Sequence, residues 1–375
     1  MLTVSNYTLI LFTIIYSVYI LWQTFSWLIK PATIISKKEP QTKVSVIIPC
    51  RNEEKNIGNC LNSILGQNYP LSLIEIIIAD DHSTDKTQEV AKGILEHSSF
   101  AWKYIQLPDN LSNKKNAINI AITASEGDLI IITDGDCEVG ENWVSCYVSQ
   151  YESNNYQMIC GPVALVNGKS ICEKFQSLEV AGLSLLAGAG IFSKAPLLCN
   201  GANIAYTKRA FEAIGRFEGI DSVATGDDTL LLFKMNSHFP GQVGYLKNRE
   251  AIVYTQAQHS WRLFLEQRTR WASKGFISKN KLNSLVSTIV FVTNFLLFIY
   301  TIGSLVYFSL NWVFITCLFI KFTIDFLLLT CAIEFFKRRK LLLLFFTSEF
   351  ITMAYISWIG LAANFSGYNW KGRDY

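Results

Sequence analysis

The sequence predicts an α/β fold with one N-terminal and about three C-terminal transmembrane or interfacial helices. Three observations predict it. Between residues 40 and 280, short apolar runs alternate with stretches of helical period. Long apolar segments stand on both sides of that region. Hydrophobic residues make up 50% of the 375, and the mean hydropathy is +0.25, more apolar than an ordinary soluble domain.

Met1–Ile29 carries no charge, and Thr8–Ile29 has the roughly 20 residues needed to cross hydrocarbon. The first positive charges, Lys30, Lys37 and Lys38, follow the apolar run. A secretory signal carries them before it and ends in a small-residue cleavage site. Residues 1–31 are therefore expected to be an uncleaved anchor, with the chain from residue 30 onward in the cytoplasm.

The α/β domain is expected over residues 40–280. KVSVIIP is a β-rich run, and Ile57, Leu61, Ile64 and Leu65 then have the spacing of an amphipathic helix. LIEIIIAD (Leu73–Asp80) reads as a second buried strand. DHSTDKTQEVAKGIL opens on turn and cap residues before another helix. WKYIQL is a third strand, NKKNAINIAITAS is helical in period, and DLIIITDGD (Asp128–Asp136) is a fourth strand ending in carboxylates. This alternation implies a parallel sheet covered on both faces, with ligands beyond the carboxyl ends of its strands.

Residues 284–366 are expected to be membrane helices and 367–375 a tail. Leu285–Phe308 and Trp312–Phe336 read as spans separated by the SLNW turn. KRRK (Lys337–Lys340) faces the cytoplasm if the first span runs inside to outside. Leu341–Phe365 is a third candidate, either spanning or re-entrant or interfacial. Lys321 and Asp325 lie one helical turn apart inside a span. A mutual i,i+4 pair accounts for them, and a role near a lipid substrate is the alternative. Ser177–Lys194 reads equally as a core helix or an acceptor-side element. Ser260–Phe276 mixes aromatic, Leu, Arg and Lys residues as an interfacial helix does, its basic face toward headgroups. His259 beside it reads as structural.

Composition excludes several classes. A net charge of +3 does not fit a nucleic-acid binder held by phosphate contacts. The nine cysteines form no CxxC and no zinc-type cluster, which suits small apolar residues in a reducing compartment. No GxGxxG and no GxxxxGK[ST] supports a dinucleotide or P-loop enzyme.

Three predicted strand ends carry polar clusters: PCRNEE, ADDHSTD and TDGDC. In TDGDC, Asp134 and Asp136 can turn toward one point. Two hard oxygen donors with a substrate diphosphate are what Mg²⁺ or Mn²⁺ needs. An Asp-Gly turn is the structural alternative. VATGDDTLLLFKM (Val223–Met235) places Asp227 and Asp228 in the first turn of a helix, where negative charge is favoured by the dipole.

VSVIIPCRNEE, IIIADDHSTDKT, NKKNAI, IITDGDCE, CNGANIAY, GDDTLL and QRTRW occur in the order found in family-2 glycosyltransferases. Over Lys43–Ser273 the chain resembles that family, and its flanking segments resemble the membrane-anchored members. The resemblance implies a GT-A (Rossmann-like) catalytic domain that transfers a hexose. Pro49, Arg51 and Glu53 would line the base and ribose of a nucleotide-sugar donor. Asp81, rather than Asp80, would contact the base, and Lys114 would lie near the nucleotide. Asp134 and Asp136 match the DxD motif: Asp136 would bind the divalent metal, Asp134 the ribose or the metal. Asp228 matches the general base of the Glu-Asp motif; Asp227 replaces its Glu, which shortens the reach. Gln267, Arg270 and Trp271 match QxxRW, under the diphosphate and acceptor, and CNGANIAY would form the acceptor-side floor.

The implied chemistry is single displacement. An acceptor hydroxyl attacks the anomeric carbon as Asp228 takes its proton, worth about 10²–10⁴-fold. The metal and Arg270 stabilise the leaving diphosphate. The anomeric centre inverts. The expected acceptor is a lipid-linked or glycolipid hydroxyl at the bilayer, with a processive polysaccharide synthase as the alternative. The resemblance places the protein in a bacterial inner membrane with its catalytic domain toward the cytoplasm. The default donor is a UDP-sugar.

Overall fold

The computed structural model describes residues 2–36, 38–220, 227–277, 280–308, 311–362, 369–370 and 373–374. In chain order the first elements are α1 (Leu2–Leu28), β1 (Val44–Cys50), α2 (Ile57–Leu65), β2 (Ile74–Asp80), α3 (Thr87–Leu95), β3 (Ala101–Gln106), α4 (Lys114–Ala124) and β4 (Leu129–Ile132). Then come β5 (Glu138–Val139), α5 (Trp143–Asn154), β6 (Met158–Cys160), β7 (Val163–Leu165), α6 (Ile171–Phe192), β8 (Ile204–Thr207), α7 (Lys208–Ala213) and α8 (Asp227–His238). The chain continues through β9 (Val243–Tyr245), β10 (Val253–Thr255), α9 (Trp261–Ile277), α10 (Lys281–Tyr307), α11 (Trp312–Phe336) and α12 (Phe345–Ala362). Two short strands, β11 (Asn369–Trp370) and β12 (Arg373–Asp374), pair at the end. Contacts divide the chain into an α/β unit, residues 30–166 and 187–256, and a helical unit, residues 1–29, 167–186 and 257–375.

The α/β unit is built on a seven-stranded sheet of order β3-β2-β1-β4-β8-β6-β9. Every residue of β1 and β2 is buried, which explains their continuous apolar runs. β1 to β4 are parallel, as expected. The whole sheet is not: β8 runs antiparallel to both β4 and β6. The regular strand–helix alternation that enforces parallel crossovers stops after β4. β8 starts beside Ile132, the last residue of β4, so it enters from the carboxyl edge and must run the other way. A second sheet, β5-β10-β7, completes the unit. One core cluster joins β1, β2 and β4 to α2, α3 and α5.

β4 ends at Ile132, so the carboxylates of TDGDC lie in the turn beyond the strand. Pro49 sits in β1 past the last β1–β4 pair, Ile47–Ile132, where its missing N–H leaves no β4 partner short. The link from the first helix is already tied down here: Thr33 N–H donates to the Lys247 carbonyl at 2.9 Å and Ser36 N–H to Ser149 Oγ at 2.7 Å.

In the helical unit, α1, α10, α11 and the Arg339–Leu361 segment are long and apolar enough to cross a membrane. That last segment begins with a 3₁₀ turn, Arg339–Leu344, before α12; residues 363–365 lie outside the described ones. α6 is also long and apolar, but 78% of its apolar window is buried against 22–33% for the others. Most of that window is thus packed inside the protein, as in a core helix. Lys321 pairs with Asp325 at 2.9 Å, as the one-turn spacing predicts, and also with Glu349 of α12. Tyr16 of α1 donates to Asp325 Oδ1 at 2.7 Å. All nine cysteines are free thiols, and eight are buried.

Candidate active site

Three loops meet at the carboxyl edge of the parallel strands. Asp81 joins them. Its N–H donates to the Cys50 carbonyl at 2.9 Å. Arg51 Nη1 donates to the Asp81 carbonyl at 2.6 Å and lies 3.9 Å from its Oδ1. Asp81 Oδ2 accepts the Asn113 N–H at 3.1 Å, from the residue that caps α4. His82 Nδ1 lies 3.1 Å from Asp81 Oδ1. Asp80 is occupied differently: its Oδ1 accepts both the N–H (3.1 Å) and the hydroxyl (2.5 Å) of Ser83, closing the turn after β2. Glu53 anchors the β1 loop, its N–H on Thr87 Oγ1 at 2.8 Å and its Oε2 accepting from Asn56 at 2.8 Å.

The DxD turn packs against this loop. A Cβ on Gly135 would lie 3.2 Å from Glu53 Cγ and 3.3 Å from Cys50 Cβ, so only glycine allows the approach without a shift. Asp134 Oδ1 is paired with Lys114 Nζ, from the first residue of α4. Asp136 Oδ2 lies 3.3 Å from the Thr255 hydroxyl. Burial, reinforced by the charges of Asp136 and Asp134, pushes the neighbouring Cys60 and Cys137 thiols well up, so both stay protonated. The donor set at this corner is thus two hard carboxylates, which fits a divalent cation such as Mg²⁺ or Mn²⁺. Among the described residues no group of three His, Cys, Asp or Glu assembles.

Asp228 stands in the first turn of α8. Its Oδ2 accepts the Gly201 N–H at 2.9 Å and its Oδ1 the Thr229 N–H at 2.8 Å. A Cβ on Gly201 would lie 3.4 Å from Asp228 Oδ2 and 3.5 Å from Lys114 Nζ. Gly201 is therefore where Asp228 meets the Lys114–Asp134 pair. A small cavity there is lined by Lys114, Gly201, Tyr206, Phe217, Asp228 and Leu231. Residues 223–226 and the Asp227 side chain lie outside the described residues.

Gln267, Arg270 and Trp271 lie on α9, in the helical unit rather than the α/β unit. The CNGANIAY stretch splits into two roles. Gly201 holds Asp228 through its backbone N–H. Asn203 is wholly buried and fully bonded: its Oδ1 accepts from Trp143 (2.9 Å) and Tyr147 (2.7 Å), and its Nδ2 donates to the Pro162 (2.7 Å) and Ala251 (2.8 Å) carbonyls. Sequence reasoning gave no role to Asn113, which opens the NKKNAI motif beside Lys114, and missed Thr255, which reaches Asp136 from 119 positions away.

Two family models match the chain. Glycosyl transferase family 2 matches residues 45–212, and Glycosyl transferase family group 2 matches residues 129–337, more than half of the chain. The chain belongs to glycosyltransferase family 2. Among curated relatives, this glycosyltransferase is 28% identical over 241 residues to the Probable glycosyltransferase YdaM of Bacillus subtilis. That match covers 61% of this chain and 54% of the relative, so the chain spans about half of its length. Over 110 residues it is 34% identical to a dolichyl N-acetyl-alpha-D-glucosaminyl phosphate 3-beta-D-2,3-diacetamido-2,3-dideoxy-beta-D-glucuronosyltransferase of Methanococcus voltae, covering 29% of this chain and 34% of the relative. The solved mannosyltransferase PcManGT of Pyrobaculum calidifontis, in complex with GDP-Man and Mn²⁺, superposes with a TM-score of 0.65 at 16% identity, covering 97% of this chain and 99% of that one. This likeness, with the mixed sheet, gives the glycosyltransferase the GT-A α/β fold expected from its sequence.

Proposed function

We propose that the enzyme transfers a single sugar, with inversion, from a nucleotide-sugar donor to the hydroxyl of a membrane-borne lipid or glycolipid acceptor. The observation that carries this reading is the meeting of Asp228 and the Lys114–Asp134 pair at Gly201. A carboxylate held by a backbone N–H beside an ammonium–carboxylate corner is what proton removal next to a diphosphate needs. Asp228 takes the acceptor hydroxyl proton, and the Gly201 N–H keeps the carboxylate oriented. Lys114 sets positive charge beside the departing diphosphate. Arg51, Asp81 and Asn113 shape the donor end, where Pro49 and Glu53 also lie. Asp134 and Asp136 would hold a divalent metal, which supplies Lewis-acid stabilisation of the leaving group when bound. Gln267, Arg270 and Trp271 are assigned to the diphosphate and acceptor from the family motif. The single general base that the family motif implies supports inversion. A UDP-sugar is the donor that the family resemblance favours.

The membrane-borne acceptor rests on the four largely exposed apolar helices and on the dolichyl-phosphate-linked substrate in the name of the Methanococcus relative. The catalytic unit is expected on the cytoplasmic side of a bacterial inner membrane, in keeping with the charges that follow the first helix.

Asp228→Asn should lower transfer by about 10²–10⁴-fold while metal-dependent nucleotide binding persists. Radiolabelled UDP-sugars with a total lipid extract as acceptor provide the assay. Near-normal turnover in this variant would sink the assignment of the base. Long ladders of product would favour polymer synthesis, and an α-linked product by proton NMR would rule out inversion of an α-linked donor.

A further inference from the structure

The helical unit buries an ion pair inside the QxxRW segment. Arg268, the residue after Gln267, is 5% exposed. Its Nε lies 3.0 Å from both Glu179 carboxylate oxygens, and its Nη2 lies 2.5 Å from Oε2. Tyr355 of α12 donates to Glu179 Oε1 at 2.6 Å. Rings enclose the pair: Phe264 packs edge-on to Phe175 at 5.5 Å and to Tyr355 at 5.4 Å.

The same guanidinium also holds two motif residues. Arg268 Nη1 donates to Gln267 Oε1 at 2.5 Å, and the group lies 4.1 Å from the centre of the Trp271 ring. Gln267 and Trp271 are one helical turn apart, so one side chain restrains both. Simple packing of α9 would not require this. Buried ion pairs are often replaceable by apolar residues without loss of stability. A planar fork that binds a carboxylate, donates to an amide and stacks on an indole is specific to arginine.

We propose that Glu179, Arg268 and Tyr355 form a positioning network that fixes Gln267 and Trp271 for acceptor binding. None of the three touches substrate in this role; they act through the motif. The proposal rests on the reading of QxxRW as acceptor-side machinery. Arg268 is correspondingly turned inward, away from the headgroup-facing role expected of the basic residues on this helix.

The test uses the full chain in detergent, labelled UDP-sugars with Mn²⁺, and a total lipid extract. Transfer to lipid and hydrolysis of donor are measured together. Both scale with the folded fraction, so their ratio isolates positioning. Glu179→Gln and Arg268→Lys should lower that ratio by about 10- to 100-fold, the scale of a small misplacement. Tyr355→Phe, which removes one hydroxyl, should lower it less. Glu179→Gln combined with Trp271→Ala should be no worse than Trp271→Ala alone. An unchanged ratio in Glu179→Gln and Tyr355→Phe, with a lowered one in Trp271→Ala, overturns the network. An unchanged ratio in Trp271→Ala overturns the acceptor reading of the motif, and the network with it.

Discussion

Glu75 and Asp134 stand at opposite edges of the same sheet, and their surroundings give them different work. Glu75, at the amino edge, accepts from the Ser45 hydroxyl and the Glu126 N–H, each at 2.5 Å, with Lys103 Nζ at 3.3 Å. Burial pushes its carboxyl up, but these donors outweigh burial and hold it below the usual carboxylate range. Its contribution to stability is therefore present above the ordinary glutamate pKa and fades as acid protonates the folded state. The melting-temperature gap between wild type and Glu75→Gln should be largest near neutral pH and shrink below about pH 4. A gap that widens in acid would show that Glu75 is not stabilised as a carboxylate. Asp134, at the carboxyl edge, has Lys114 as its partner in a half-exposed corner. The strand-end position of both Asp134 and Asp136 is legible in the sequence. The Gly201 N–H on Asp228 is not, because its two residues are 27 positions apart.

Among the elements, α11 shows how far local spacing carries. Lys321 and Asp325 are an i,i+4 pair in the sequence, and they are a pair in the fold. Glu349 from α12 and Tyr16 from α1 join them only through tertiary packing. Lys321 is 1% exposed, so its removal would leave two buried carboxylates facing each other. Lys321→Met should destabilise the helical unit by about 3–5 kcal/mol. Adding Asp325→Asn and Glu349→Gln to that chain should recover most of the loss. Thermal unfolding in detergent measures both. A Lys321→Met chain as stable as wild type would mean that this cluster does not hold the helices together. β8 marks the opposite limit. Its four residues carry no sign of their direction, and pairing from the carboxyl edge sets it.

For the whole molecule, the proposed donor and metal are testable through stability, because ligand binding and folding are linked by mass action. A ligand bound only by the folded chain stabilises it by about 2.7 kcal/mol at a hundredfold excess over Kd. UDP with Mn²⁺ should therefore raise the melting temperature of the full chain, and EDTA should remove the shift. A shift that survives EDTA would separate nucleotide binding from the metal. The sequence alone determined the α/β class, the four leading strands, the apolar helices and the order of the carboxylate motifs. These are signals of local period and composition, and each is carried within some twenty residues. Tertiary structure decided the antiparallel β8, the buried course of α6, and which partner each carboxylate keeps. Asp80 went to a turn, Asp81 to Arg51 and Asn113, Asp134 to Lys114, Asp228 to Gly201, and Glu179 to Arg268. Most of these pairings join residues remote in sequence, and local propensity holds no information about which distant donor the fold delivers.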